Sequence, residues 1–573
     1  MKKSNRKTLA CDLCVVGGGM SGVAAAVSAA REGLKVVLIH DRTVLGGNAS
    51  SEVRMWIRGA STRFPEYKEG GLIEELALDD MHYNPKMNWS LWDLVLLNKV
   101  RSEKNVTLLL SATCCGAEEE GGVIKSVTAW KTDEYVFYDV IAKFYADCSG
   151  DSVLAEFTSA EFVSGRESNS EYGEPMAREH ADGNTMGNSI LLQYRPAFED
   201  ESEDCAFVPL ADPKFTEALE RRLPSASIFV PLENFWWLEL GGNKDALRDS
   251  GELSRELTSL AASAHEYVRK SANEKGYMLD RIGSLAAKRE TRRYVGDYVL
   301  TANDILSSKS FADEIAYGGW PMDDHYPEGL YSDKPNVNYY FEKPYSIPYG
   351  CIYSKNVENL FFAGRNISVT HLALSSTRVM ATCAMLGQAA GFAATVSVRH
   401  GVSVRGAGAY IGEIQRLLRL HDCYLLHTER KKVIDFPDAE RNLDGRDNAT
   451  VLSSGESLSF IFPKRFYRFV RVVLDSDFLR SELKDGPEKN EIRNFPSLCY
   501  NALGSVTVET PSRILKDFSL ILDDDRNSAI KVENNFQRFI LVPVNREIEK
   551  LTFRAEKTHG GENARIFSID VVE

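Results

Sequence analysis

The 573-residue chain has no run of about 18 consecutive apolar residues, the length a helix needs to cross a bilayer, so no membrane span is expected. Positive charge is in deficit: 68 Lys and Arg face 82 Asp and Glu, a net charge of −14. A nucleic-acid partner is therefore not expected, because phosphate binding needs a basic surface. The start Met1-Lys-Lys-Ser-Asn-Arg-Lys is basic, but no separate h-region follows it. The first apolar residues already read as a strand, so a cleaved signal peptide is not expected either. Cysteine is sparse, with ten residues in all. Cys11 and Cys14 stand three positions apart, which on a strand puts them on opposite faces; they are read as buried thiols, and no metal site is expected. Together these absences lead us to expect a reduced, cytoplasmic protein, and the length suggests about three domains of ordinary size.

What is present begins with Asp12-Leu-Cys-Val-Val-Gly-Gly-Gly-Met-Ser-Gly22. An apolar strand runs into Gly17-x-Gly19-x-x-Gly22, an Ala-rich helix follows over Val23 to Glu32, and a second strand over Lys35 to Ile39 completes a βαβ unit. Gly17 permits the tight turn, Gly19 lets backbone N–H groups approach a pyrophosphate, and Gly22 lets helix pack on strand. Met20 and Ser21 lie in the turn before the helix, whose N-terminus offers about half a positive charge to phosphates. An acidic residue about 20 positions on should bind a ribose hydroxyl. His40 stands directly after the second strand, so Asp41 is assigned the ribose, with Arg42 beside it and the glycine turn Leu45-Gly46-Gly47-Asn48 close behind.

Four blocks carry a family resemblance. Val36 to Arg54 resembles the bacterial FAD-dependent oxidoreductases of the glutathione-reductase-type fold. Phe144-Tyr-Ala-Asp-Cys-Ser-Gly-Asp151 is similar to that family's returning strand and Asp-Ala-Thr-Gly-Asp turn, with Cys148 and Ser149 at the middle positions. Arg289-Glu-Thr-Arg-Arg-Tyr-Val-Gly-Asp297 resembles its Arg-rich motif. Asn359-Leu-Phe-Phe-Ala-Gly-Arg365, with Thr370-His-Leu-Ala, Arg378 and Gly387-Gln-Ala-Ala-Gly391, resembles its closing flavin motif. The resemblance spans about residues 10–400 and implies FAD as cofactor, with Gly150, Asp151, Gly364 and Arg365 holding the half of it that the glycine turns do not.

The expected architecture is α/β: a doubly wound, Rossmann-like FAD-binding domain with an inserted substrate domain and a C-terminal all-β, sandwich-like module. Its parts are 1–151, containing an antiparallel meander over Thr107–Ser111, Val123–Trp130 and Tyr135–Ile141 with Glu118 to Gly122 as a turn; the insertion 152–345; the closing part 346–400; a helix and linker 401–449; and the β module 450–573. In the insertion, Trp236-Trp237 read as packing residues and the segment Ala316 to His325 is aromatic. Ser375 and Ser376 are expected to cap one long buried helix over about Thr377–Val398, aimed at the flavin. Residues 428–450 are charged and polar, with Arg430-Lys-Lys and Asn442 to Asn448. Strands are expected at Ser457–Phe462, Tyr467–Leu474, Ser505–Glu509, Phe539–Val544 and Ile566–Val572.

The resemblance implies an FAD-dependent oxidoreductase, expected to pass a hydride between a small-molecule substrate and flavin N5. A CH–OH group of a sugar or sugar derivative is the first choice. A C–C bond of a carboxylate substrate is the alternative, favoured by Arg289, Arg292, Arg293 and Arg378, since Arg forks match carboxylates. A flavin-holding protein without catalysis is the third reading. His371 is the expected base, His325 the reserve, and Arg378 and Arg292 the expected substrate orienters. No second nucleotide motif is present, so the electron acceptor stays unnamed, and a homo-oligomer is compatible with this reading.

Overall fold

The computed structural model describes residues 5–64, 67–197, 210–222, 235–270, 277–427, 449–476 and 507–573. Arg6–Val16 forms β1, Met20–Arg31 α1 and Val36–Ile39 β2. Leu72–Tyr83 and Trp89–Ser102 form α2 and α3, and Val106–Leu109 forms β3. Ala112–Glu120, Val123–Lys131 and Val136–Asp147 are β4, β5 and β6. The sheet order is β3-β2-β1-β6-β5-β4, with β1, β2 and β3 parallel to one another and β1 parallel to β6. Strand β6 therefore does two jobs: Val136 to Val140 pairs antiparallel with β5, and Tyr145 to Asp147 runs on into the parallel layer.

This corrects the expected meander in two places. The segment at Thr107 is the third parallel strand rather than a meander strand, and the acidic Glu118 to Glu120 ends a strand, with Gly121 and Gly122 making the turn. Carboxylates at a solvent edge are tolerated on a strand when their outer face is wet, and alternate residues of β4 are exposed.

The inserted region builds a second layer. Asn188–Pro196 (β7), Phe235–Leu240 (β8) and Tyr277–Ile282 (β9) form a three-stranded antiparallel sheet, and Ser250–Lys270 (α4) covers it. Leu253, Leu257, Leu260 and Ala264 recur at helical spacing on the buried side of α4; Leu257, Leu260 and Ala264 share one core with Ile190, Leu192 and Leu238. A short hairpin follows, Met322–His325 (β10) against Asn336–Tyr339 (β11). Leu360–Phe362 (β12) then pairs with β6 and returns the chain to the first layer.

Two helices close that layer: His371–Thr377 (α5), capped by the Thr370 hydroxyl, and Met380–His400 (α6). The expected single helix is thus broken at Arg378 and Val379, and Ser375 and Ser376 lie inside α5 instead of capping α6. On length and composition α6 could cross a membrane, but its apolar window is 94% buried inside the protein, which makes it a core helix. It crosses α1 at backbone contact distance, because a Cβ on Gly387 would lie 2.1 Å from the Ser21 carbonyl and one on Gly391 2.5 Å from the Ala25 carbonyl. Burial pushes the Cys11 thiol up to about 12 and Cys14 well above its usual value, consistent with packing residues.

Ile411–Leu420 is α7. The charged linker at 428–448 and the first part of the strand expected at Ser505 lie outside the described residues. Beyond them Thr450–Ser453 (β13), Ser457–Leu474 (β14), Leu515–Leu522 (β15), Asp525–Val532 (β16), Phe539–Thr558 (β17) and Asn563–Val572 (β18) form one six-stranded antiparallel sheet in the order β13-β18-β14-β17-β15-β16. Two strands expected separately are the single bulged strand β14. This sheet does not stand apart from the rest. Its core includes Ala77, Leu78 and Met81 of α2 and nearby Met87, and Gln537 and Arg538 reach Asp79, Glu74 and Asp422.

Candidate functional site

The end of β1 turns sharply at Gly17, where φ is +103° and a Cβ would sit 2.5 Å from the Cys148 carbonyl. Gly22 faces the same turn; a Cβ there would approach the Gly17 carbonyl to 1.8 Å. Gly19 differs from both: its backbone is extended, and a Cβ on it would meet nothing within 4 Å. That open space is the mouth of a cavity of about 1130 Å³. Ligand pockets for single small molecules are about 300–1,000 Å³, so this one has room for a dinucleotide and a substrate together.

Gly17, Gly19, Met20, Ser21, His40, Asp41, Arg42, Gly46, Gly47, Asn48, Gly150, Asp151, Gly364 and Arg365 all line it. Gly22 does not, and acts through packing. The second glycine turn lies against the first, with the Gly46 amide donating to the Gly18 carbonyl at 2.8 Å. Arg42 donates to the Gly47 carbonyl at 3.2 Å, and the Asn48 amide to the Lys288 carbonyl at 3.0 Å. Gly364, at φ +119°, brings the closing motif onto Ser21 at the start of α1.

Asp151 takes Lys288 at 2.7 Å and Arg365 at 2.6 Å. Burial pushes its carboxyl up, but Arg365 and Lys288 outweigh that and hold it below the usual range. His40 is held down to about 4, chiefly by burial, and is neutral. Its Nδ1 accepts the Gly18 amide at 3.0 Å, which assigns the ring proton to Nε2. Asp41 is 62% exposed and lines this end of the cavity.

At the far end the strand period decides which side chains meet the cavity. On β10, Asp323 and His325 share one face and Asp324 takes the other. His325 lines the cavity, with Nδ1 2.8 Å from Glu239 Oε2 and Nε2 3.2 Å from Asp323 Oδ2. Arg289 reaches Glu239 at 3.3 Å and Arg378 reaches Asp323 Oδ2 at 3.1 Å. The five side chains form one array, Arg289–Glu239–His325–Asp323–Arg378, and all five line the cavity. Burial pushes Glu239 up, yet Arg289 and His325 hold it below the usual carboxylate range. Val379 and Met380 bring the N-terminus of α6 to the same wall. Trp237 also lines the cavity, while its neighbour Trp236 packs into the core of the inserted layer, so one of the two tryptophans expected only to pack is placed at the site.

Two of the expected catalytic residues lie away from the cavity. His371 does not line the cavity. It is 3% exposed, with Nδ1 on Glu290 at 2.9 Å and Nε2 on Asp324 at 3.0 Å. Burial opposes its charge, but Glu290 and Asp324 prevail and raise it to about 10, so at neutral pH the ring carries both protons and has no lone pair with which to act as a base. Arg292 is likewise away from the cavity, paired with Glu156 at 2.8 Å and stacked over Phe162. Arg293 is fully buried against Glu290 and Glu167. Of the Arg-rich motif only Arg289 reaches the site. Glu239, Asp323 and Trp320 were not among the expected site residues; the alternation that puts Asp323 on the face of His325 was the signal available for one of them.

A family model described as FAD dependent oxidoreductase matches residues 12–418. No curated protein matches the chain. Among solved structures it is similar to a geranylgeranyl bacteriochlorophyll reductase-like protein from Thermoplasma acidophilum, at 12% identity and TM-score 0.32 over 72% of this chain and 83% of that one. It is similar to p-nitrophenol 4-monooxygenase PnpA from Pseudomonas putida DLL-E4, at 10% identity and TM-score 0.33 over 72% and 86%. A third is the myxobacterial chondrochloren halogenase CndH, at 14% identity and TM-score 0.32 over 72% and 79%.

Proposed function

The chain belongs to the family of FAD-dependent oxidoreductases, and from that premise we propose that it oxidises a CH–OH carbon of a sugar or sugar derivative. The residues present fit the cofactor: the turn at Gly19 leaves a cradle that any Cβ would fill, and the cavity is long enough to continue from it to His325. Bound there, FAD supplies the acceptor for a hydride. Gly17, Gly19, Gly46 and Gly47 would hold its pyrophosphate with backbone N–H groups, and the N-terminus of α6 presents the positive end of its dipole to the cavity.

The array around His325 carries the reading. Removing a hydride from a carbinol carbon requires that the hydroxyl proton leave as well. The shorter contact, to Glu239, holds Nδ1; Nε2 meets Asp323 at the longer distance of 3.2 Å, so Nε2 would take the proton from a substrate hydroxyl that replaces Asp323 as its partner. A proton taken at Nε2 arrives beside Asp323, so both carboxylates face the charge that develops, and they are fixed in advance by Arg289 and Arg378. The wall also mixes hydrogen-bonding types, as Trp320 Nε1 is a donor without a partner and Glu239 Oε1 an acceptor without one. A hydroxyl, which donates and accepts, suits such a wall.

The test is anaerobic bleaching of the flavin band by aldoses, alditols and aldonates. With a reducing substrate in hand, His325→Gln is expected to keep its flavin and to slow reduction by about 10²-fold or more, the scale of a positioned base. An unchanged reduction rate removes His325 from the chemistry.

A further inference from the structure

We propose that the substrate is a hydroxy acid whose carboxylate seats between Arg289 and Arg378, an inference that rests on the CH–OH reading above. Each guanidinium is engaged along one part only. Arg378 uses Nη2, on the Asp323 carbonyl at 3.0 Å and its carboxylate at 3.1 Å, while its buried Nε has no partner. Arg289 uses Nη1, on the Gly187 carbonyl at 3.0 Å, Ser189 Oγ at 2.5 Å and Glu239 at 3.3 Å. A guanidinium carries five N–H donors in a planar fork, so both retain donors that Glu239 and Asp323 do not use. Trp320 adds an indole N–H, which can only donate.

The unfilled groups are therefore chiefly donors, and they stand on either side of His325. A carboxylate only accepts, with about four lone-pair positions, and pairs bidentately with Arg. A neutral hydroxyl could fill one donor at a time and would bring its own proton to be placed.

Charge points the same way. Two guanidinium groups and two carboxylates balance across the array, so the proton that His325 takes during oxidation leaves one positive charge over. A substrate carboxylate cancels it. Burial, and after it the like charge of Arg289, already pull Arg378 below its usual value, and an anion between the two relieves that repulsion. The class that meets these demands has a carboxylate near an oxidisable CH–OH, as in aldonates and uronates.

The test is calorimetric titration of the flavin-loaded protein with glycolate against ethylene glycol, and with D-gluconate against D-glucitol, pairs that differ in the carboxylate. The acids are expected to bind saturably, at least tenfold more tightly than their neutral partners, and to lose tenfold or more of their affinity in Arg378→Gln and in Arg289→Gln. Arg378→Lys, which keeps the charge but not the fork, should fall between. Flavin content and unfolding temperature identify any variant that fails to fold, and the Arg289 pair then carries the test. Equal binding of acids and neutral partners, no saturable binding of either acid, or unchanged affinity in both Gln variants overturns the proposal. An acid that binds as expected but leaves the flavin oxidised supports the carboxylate seat and overturns the CH–OH reading instead. Reduction by D-glucitol without binding of D-gluconate does the reverse.

Discussion

Replacing Gly19 with Val separates cofactor binding from folding. At φ −70° and ψ −176° the residue is extended, a conformation valine adopts freely, and the new Cβ has no protein atom within 4 Å. The fold should therefore hold, with stability within about 1 kcal/mol of the parent and a slight gain from the stiffer unfolded chain. The space the side chain takes is the space over the helix N-terminus, where backbone N–H groups would meet the pyrophosphate. Losing one or two hydrogen bonds to a charged group, at about 1.5–3 kcal/mol each, weakens binding by roughly 10-fold to 10⁴-fold. Gly22→Ala makes the control. Its Cβ would lie 1.8 Å from the Gly17 carbonyl, a backbone atom that cannot move aside, so this smaller change should prevent folding. The assay is flavin released into the filtrate after denaturation, with unfolding followed on the apoproteins. Full flavin occupancy in Gly19→Val would refute the placement of the cofactor, and an apoprotein that unfolds far below the parent would refute the claim of free space.

His371→Ala should destabilise the protein by about 3 kcal/mol, because it leaves buried Glu290 and Asp324 short of a cation, with Arg293 still offsetting part of the loss. The folded His371 value of about 10 lies above the unfolded value of about 6.5, so its contribution is full below pH 6.5 and is lost as pH rises through 10. Denaturant titrations of parent and variant should show the gap narrowing between pH 6 and pH 10; a constant gap contradicts the ion-paired assignment. Arg538→Ala should cost about 3–5 kcal/mol through Asp422 and Glu74. A chain ending before Thr450 should be insoluble or melt far below the full chain, and a truncated protein with full flavin and an unchanged melting point would show that the shared core is dispensable.

The cofactor end of the site was legible in the sequence because its constraints are local. A strand that must turn within three residues and then start a helix against its own carbonyl admits only glycine at Gly17 and Gly22, and that need is written at those positions. The substrate end was not, because there a residue's role depends on partners far along the chain. His371 sits a few residues from the flavin motif, which favoured it, but Glu290 and Asp324, 81 and 47 residues away, convert it into a strut. His325 had no such motif beside it. It reaches the cavity because β10 alternates, so that Asp323 and His325 turn one way and Asp324 the other. The break at Arg378 was hidden for a similar reason: neither glycine nor proline marks it, and the chain bends there while Arg378 holds the Asp323 carbonyl. The docking of the C-terminal sheet was not legible either, because its strand content says nothing about the apolar stripe of α2 that the sheet covers.

That covered stripe sets a delay on the ribosome. Gln537 meets Asp79 across 458 residues, and Ala77, Leu78 and Met81 wait for strands synthesised about as much later. At about 5–20 residues per second the interval is roughly 20–90 s, long against the collapse of the flavin layer to which α2 also belongs. During it, Leu78 and Met81 face water, and Glu74, Asp79 and Asp422 lack the partners that Arg538 and Gln537 later bring. The nascent chain thus presents a cofactor-binding layer with one sticky apolar flank, the kind of surface that holding chaperones retain. Its yield in cells should depend on how fast the last fifth of the message is read, so synonymous slowing after codon 450 would lower yield without altering the finished protein.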